Sequence, residues 1–130
     1  MRVVVIDDSQ AVQASLCRLL GLVAGIDVVG CAEGVAGAIA LIDGEQPDVV
    51  VLDVELRDRD RGIDVLHHVV KAHPHIKVVV LSNFHWSAMR GAFIDAGASA
   101  YFDKSMQFMQ ARDYVASLVP PADSTDARVD

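Results

Sequence analysis

The run Val49-Val50-Val51-Leu52 is apolar at every position and ends on the carboxylate of Asp53. A strand with one wet face alternates apolar and polar residues. An unbroken run needs cover on both faces, which the interior of a parallel sheet layered by helices supplies. Residues 2–7 repeat the pattern, Val3-Val4-Val5-Ile6 ending on Asp7 and Asp8, and Lys77-Val78-Val79-Val80-Leu81 ends on Ser82. In open α/β sheets the groups at the carboxyl ends of strands face the crevice where ligands bind. Helix capping accounts for an acid such as Asp8. It does not account for Asp7, Asp8 and Asp53 together, because carboxylates sharing one sheet edge repel unless a cation joins them.

Between these runs the apolar spacing turns helical. Ser9 is placed to cap a helix with Val12, Leu16, Leu19, Leu20 and Val23 on one stripe, and Gly25 allows the chain to turn back into a short strand over 27–32. Val35, Ala38, Ile39 and Ile42 mark a second helix, closed by Gly44 and Pro47 before the central strand, 48–53. Residues 55–62 are charged and carry no core signal. A third helix shows Ile63, Leu66, Val69 and Val70 facing inward and stops near Pro74. A fourth carries Met89, Ala92, Phe93 and Ala96 and stops at Gly97. A short strand over 99–102 leads to Lys104, and a last helix turns Phe108, Ala111, Val115 and Leu118 inward before Pro120-Pro121. Strands alternating with helices predict a doubly wound five-stranded parallel sheet with helices on both faces. Residues 1–119 are expected to form one domain, with 120–130 a polar, disordered tail.

Composition narrows the classes. A formal net charge of -7 argues against direct nucleic-acid binding, which needs clustered Lys and Arg. No run reaches the length of a signal peptide or a membrane span, so the expectation is a cytoplasmic protein with no membrane contact. Cys17 and Cys31 stand apart without metal or redox spacing and are expected to be isolated and reduced. His67, His68, His73 and His75 read as a solvated helix and loop rather than a metal site, since adjacent helical residues point to different faces. Arg57, Arg59 and Arg61, interleaved with Asp58 and Asp60, read as a self-compensated exposed loop.

The residues closing the successive strands are Asp7 and Asp8, Asp53, Ser82 and, after the fifth, Lys104, with Tyr101 three positions before the lysine. Over residues 2–119 this set resembles the CheY-like receiver domains of two-component response regulators. The resemblance implies the strand order 2-1-3-4-5 and an aspartyl phosphate formed on Asp53. It implies Mg²⁺ held by Asp8 and Asp53, by Asp7 through water and by the main-chain carbonyl of Glu55. Lys104 and Ser82 would contact the phosphoryl oxygens, and Ser82 and Tyr101 would form the switch. The implied partners are a sensor histidine kinase or phosphotransfer protein, and a downstream protein at the face formed by the fourth helix, fifth strand and fifth helix. The same face would serve a homodimer; Trp86, Met106 and Met109 lie there, as core or as partner contacts.

Several positions depart from the family pattern. Leu56-Arg57 stands where a Met-Pro pair is usual, and Gly62 falls one residue late, so the loop after the acceptor is lengthened by one. Ser105 replaces a proline that is commonly cis, and a trans bond is expected. Glu55 and Phe84 occupy positions that influence phosphoryl lifetime, and Asn83 with Phe84 is expected to crowd attacking water and prolong it. Other readings stay open. One is the receiver portion of a DNA-binding regulator, for which the double proline would begin a linker; another is a pseudo-receiver working without phosphorylation. An aspartate-based phosphatase is disfavoured because Asp7-Asp8-Ser9 lacks the Asp-x-Asp spacing. A flavin site is disfavoured because Ser9-Gln10-Ala11-Val12 is no phosphate loop.

Overall fold

Each apolar strand divides its side chains between two layers, which is why none shows alternation. Val49 and Val51 join Val3, Val5, Val79 and Leu81 in one core layer, while Val50 and Leu52 join Val4, Ile6, Val78 and Val80 in the other. The computed structural model describes residues 1–83 and 87–121. In chain order the elements are β1 (Arg2–Ile6), α1 (Gln10–Gly21), β2 (Asp27–Ala32), α2 (Val35–Glu45), β3 (Val49–Leu52), α3 (Gly62–Ala72), β4 (Lys77–Ser82), α4 (Ser87–Asp95), β5 (Ala100–Asp103) and α5 (Phe108–Ser117), with a 3-10 turn at Arg57–Arg59. The sheet order is β2-β1-β3-β4-β5 and every pairing is parallel. Helices α1 and α5 cover one face through Leu16, Leu20, Ala111 and Val115. The other is covered by α2, α3 and α4 through Ala38, Ile42, Val65, Leu66, Val69 and Phe93. Among the described residues no helix is long and apolar enough to cross a membrane.

Several sequence expectations need correction. Gly44 does not close α2: it lies inside the helix, and Gln46 takes the left-handed conformation (φ 49°) that ends it, its N–H donating to the Ile42 carbonyl. The proline that follows at 47 cannot extend a helix, so the stop comes two residues later than the glycine suggested. Val70 does not face inward; it is 43 % exposed, while Val65 takes the buried position on α3. Residues 122–130 and the Phe84 and Trp86 expectations lie outside the described residues.

The loop after β3 departs most. Val54 and Leu56 are buried in the α2–α3–α4 layer, although the segment shows no core pattern. Nor is its charge self-compensated: Arg57 pairs with Glu33 at 2.6 Å, and an Asp60 oxygen accepts the Val35 N–H at 2.7 Å, satisfying a donor at the start of α2. Leu56 N–H to Asp60 O at 2.9 Å and Gly62 N–H to Val54 O at 2.7 Å fold the extra residue into a tight excursion. The tightness shows at Gly62, where a Cβ would lie 2.1 Å from the Asp53 carbonyl oxygen.

These surroundings give opposite expectations for two glycines. Gly62→Ala should lower unfolding stability by about 3 kcal/mol, since backbone rather than a yielding side chain blocks the methyl. Gly44→Ala, with nothing within 4 Å of the added carbon, should raise it by about 0.5–1 kcal/mol. Urea unfolding of both variants measures the contrast.

Candidate functional site

Neighbouring strands deliver the acids. Because Ile6 pairs with Leu52 in the β1–β3 register, Asp7 and Asp53 follow side by side, and the Asp53 N–H donates to the Ile6 carbonyl at 2.9 Å. Both are buried, Asp7 to 2 % and Asp53 to 7 % exposure. Asp7 is oriented by the Ser9 N–H, which donates to its Oδ1 at 2.9 Å, while Ser9 Oγ accepts from the Val12 N–H at 3.2 Å and caps α1 as expected. Asp8 is exposed, on the rim of the same site. Asp53 Oδ1 accepts from the Val54 N–H at 2.7 Å, which leaves Oδ2 as the oxygen turned to the lysine.

Lys104 reaches back over the end of β4. Its Nζ donates to Asp7 Oδ2 at 2.8 Å and to Asp53 Oδ2 at 3.1 Å. Sequence reading gave Asp7 only a water-mediated role towards a metal; here its carboxylate is bonded directly to the ammonium. Two residues that sequence reading passed over hold the loop carrying Lys104. Asp103 Oδ1 accepts from the Ser105 N–H at 2.9 Å, the Ser105 hydroxyl at 2.8 Å and the Met106 N–H at 3.3 Å, and Gln107 Oε1 accepts the Asp103 N–H at 2.9 Å. The Asp-Lys-Ser order was the available signal, since Asp and Ser favour such side-chain turns. This turn needs no cis bond, and among the described residues no peptide is cis.

Ser82 is fully buried at the end of β4, and its carbonyl accepts the Lys104 N–H at 2.7 Å. Tyr101 is turned inward, 3 % exposed, against Phe93, with the Ser82 side chain as a hydrogen-bond partner. Arg90 donates to the Tyr101 carbonyl at 2.8 Å. Asp8, Ser9, Val12, Asp53, Glu55, Asn83 and Lys104 line a cavity of about 370 Å³ in front of the Asp53 carboxylate. The sequence-derived acids, hydroxyl, lysine and tyrosine therefore converge at one sheet edge.

The electrostatics follow from burial. Desolvation pushes the Asp53 carboxyl up to about 6; the Lys104 charge opposes the shift and the Asp7 charge adds to it. Burial works against the Lys104 ammonium, but the Asp7 hydrogen bond and the charges of Asp53 and Asp7 more than offset it and hold the lysine above its usual range. Carboxylate oxygens of Asp7, Asp8 and Asp53 lie within 4.8 Å of one another. One ammonium among three acids leaves negative charge that a divalent ion would balance. An all-oxygen donor set beside a cavity with room for water suits Mg²⁺, so the residues fit that ion.

A family model described as the response regulator receiver domain matches residues 3–116. The chain belongs to the response-regulator receiver family. This receiver is 34% identical over 110 residues to the DNA-binding transcriptional activator DevR/DosR of Mycobacterium tuberculosis, a match covering 85% of this chain and 50% of that protein. It is 32% identical over 115 residues to a protein-glutamate methylesterase/protein-glutamine glutaminase of Hahella chejuensis, covering 84% of this chain and 28% of that one. Among solved structures, the signal receiver domain of the response regulator NarL from Mycobacterium tuberculosis superposes with a TM-score of 0.81 at 28% identity, over 91% of this receiver and 94% of that chain. The receiver spans about half the length, or less, of the curated relatives it matches.

Two expectations about residues away from this pocket are also corrected. Cys17 and Cys31 are not isolated, since α1 and β2 bring their sulfurs to 3.4 Å. His67 and His75 are exposed as expected, but His68 and His73 both turn onto Asp43.

The raised pKa of Asp53 has a consequence for stability. The folded receiver holds a proton there up to about pH 6, whereas an unfolded aspartate loses it near about pH 4. Stability therefore falls as pH rises through that window, and the loss is complete above it. In EDTA at pH 7.5, Asp53→Asn should raise unfolding free energy by about 2 kcal/mol. Denaturation at pH 4 should show that gain gone.

Proposed function

We propose that this chain is the phosphoacceptor of a His-Asp phosphorelay, taking a phosphoryl group on Asp53 from a sensor histidine kinase or a phosphotransfer protein. The observation that carries this reading is the Lys104 ammonium 3.1 Å from Asp53 Oδ2, at the wall of a cavity that also exposes Asp8. Phosphoryl transfer asks the protein for position and charge more than for covalent work. An Asp53 carboxylate oxygen attacks in line; the new O–P bond forms as the bond to the donor nitrogen breaks, and the donor imidazole leaves with the electron pair. The Asp8 and Asp53 carboxylates, Asp7 through water and the Glu55 main-chain carbonyl would hold Mg²⁺, which would supply neutralising charge for the phosphoryl oxygens.

Lys104 then pairs with one phosphoryl oxygen and the Ser82 hydroxyl donates to another. Ser82 is also a partner of Tyr101, so the phosphoryl group competes with the tyrosine for the same hydroxyl. The resulting shift changes the surface of α4, β5 and α5, where Ile94, Met106 and Met109 stand exposed. A downstream protein, or a second copy of the chain, reads that surface; phosphate moves it only by as much as it favours one arrangement. Residues 1–119 form the switching unit, acting in the cytoplasm with no catalysis beyond its own phosphotransfer and dephosphorylation.

A second reading has its own support. The match to a DNA-binding activator takes in only half of that relative, which is the pattern expected if this receiver controls a separate output domain. DNA contact would then fall to that domain, consistent with the net charge of -7 here.

Incubation with acetyl phosphate and Mg²⁺, followed by intact mass, tests the acceptor. The wild-type chain should gain about 80 Da as an acyl phosphate, and Asp53→Asn should gain nothing. Lys104→Met should slow the gain sharply while leaving Mg²⁺ binding in place. An adduct of equal yield in Asp53→Asn would place the acceptor elsewhere.

A further inference from the structure

Two packed helices bring a second set of ligating atoms together, away from the phosphoacceptor. Asp43, in the last turn of α2, has its Oδ1 2.8 Å from His68 Nε2 and 2.7 Å from His73 Nε2. The ligating atoms of all three residues lie within 4.8 Å of one another. Helix α3 begins against the Asp53 carbonyl and runs away from it, so His73 lies about 16 Å further along its axis. Nothing in the phosphotransfer reading uses these groups.

The backbone fixes their positions. His73 is the C-cap of α3, its N–H donating to the Val69 carbonyl at 2.7 Å and its carbonyl accepting from the Ile76 N–H at 3.0 Å. Its side chain is only 11% exposed, against 47% for Asp43, so the cluster has a buried anchor and an open side. The two imidazole rings meet edge to face, with centroids 5.8 Å apart, an arrangement that lets both Nε2 atoms point to one locus. Without an ion, each Nε2–H donates to the shared carboxylate oxygen. With one, both Nε2 lone pairs and the oxygen become ligands, and the contacts open to the separation of about 3.3 Å set by metal–ligand bonds of about 2.0–2.1 Å in a tetrahedron. The exposed Asp43 side chain is free to make that adjustment.

We propose that Asp43, His68 and His73 form a binding site for a borderline divalent transition ion, with Zn²⁺ the leading choice, clamping the ends of α2 and α3 together. Two imidazoles and one carboxylate suit Zn²⁺ and its neighbours, whereas Mg²⁺ seeks oxygen alone. Three protein ligands leave a fourth position for water on the solvent side. The receiver thus carries two cation sites of different chemistry at opposite ends of α3.

The test uses the full, untagged chain with Cys17→Ser and Cys31→Ser, which removes a thiol pair able to take Zn²⁺, in excess Mg²⁺. Zn²⁺ is titrated in competition with a chromophoric chelator, and Co²⁺ binding is followed by its visible spectrum. One ion per chain is expected, with the intense bands of a four-coordinate site. Loss even of a residue that merely orients a ligand costs about 10–100-fold in affinity, so His68→Gln and His73→Gln should each weaken binding by at least about tenfold. Asp53→Asn should leave it unchanged, which separates this site from the phosphoacceptor. Failure of the chain to bind Zn²⁺ would overturn the proposal, as would binding that survives both histidine variants or disappears with Asp53→Asn. Thermal melts of the metal-free variants check folding; if His73→Gln is unfolded, the more exposed His68→Gln decides.

Discussion

A single ammonium group shared by two buried carboxylates holds the working edge of this receiver together. Asp7 and Asp53 lie side by side because β1 and β3 are neighbours in register, and their mutual repulsion comes with that placement. Lys104 offsets it from two strands away, donating to both. Taking one partner from a buried ion pair typically costs about 3–5 kcal/mol, because the remaining charge has no water to turn to. Here two like charges would be left. The triad is thus a structural tie, and with Asp8 close by it leaves more acidic groups than basic ones at this edge.

The supports of that tie come from the loops. Asp103 and Gln107 shape the turn that presents Lys104, using side-chain hydrogen bonds in place of a special peptide geometry. On the other side, the lengthened loop after Asp53 is absorbed rather than left loose. Leu56 is sunk into the core, Asp60 is bonded to the first turn of α2, and Gly62 passes so close to the Asp53 carbonyl that only hydrogen fits. A loop made mostly of charged residues therefore fixes the backbone at Asp53.

Local pattern carried much of this. The order of strands and helices, the acids at strand ends and the Ser9 cap were readable because each follows from spacing along a short segment. Burial of Leu56, the true helix stop at Gln46 and the exposure of Val70 were not, because each depends on which neighbour happens to lie opposite. The two cysteines and the Asp43 histidine cluster escaped for the same reason. Cys17 and Cys31 are 14 positions apart, and Asp43 lies 25 and 30 positions from its partners. Such separations leave no trace in any window of sequence.

By itself, then, the sequence determined the layered parallel architecture, since apolar strands alternating with amphipathic helices need cover on both faces, and it determined which chemical groups arrive at the ligand edge. Tertiary structure alone decided how those groups share their charges. Asp7 became the lysine's partner while Asp8 stayed in solvent, and Asp53 was pushed towards neutrality by burial. Hydropathy and spacing act along the chain, whereas desolvation and Coulomb interaction act through space and take their values only when distant segments have met.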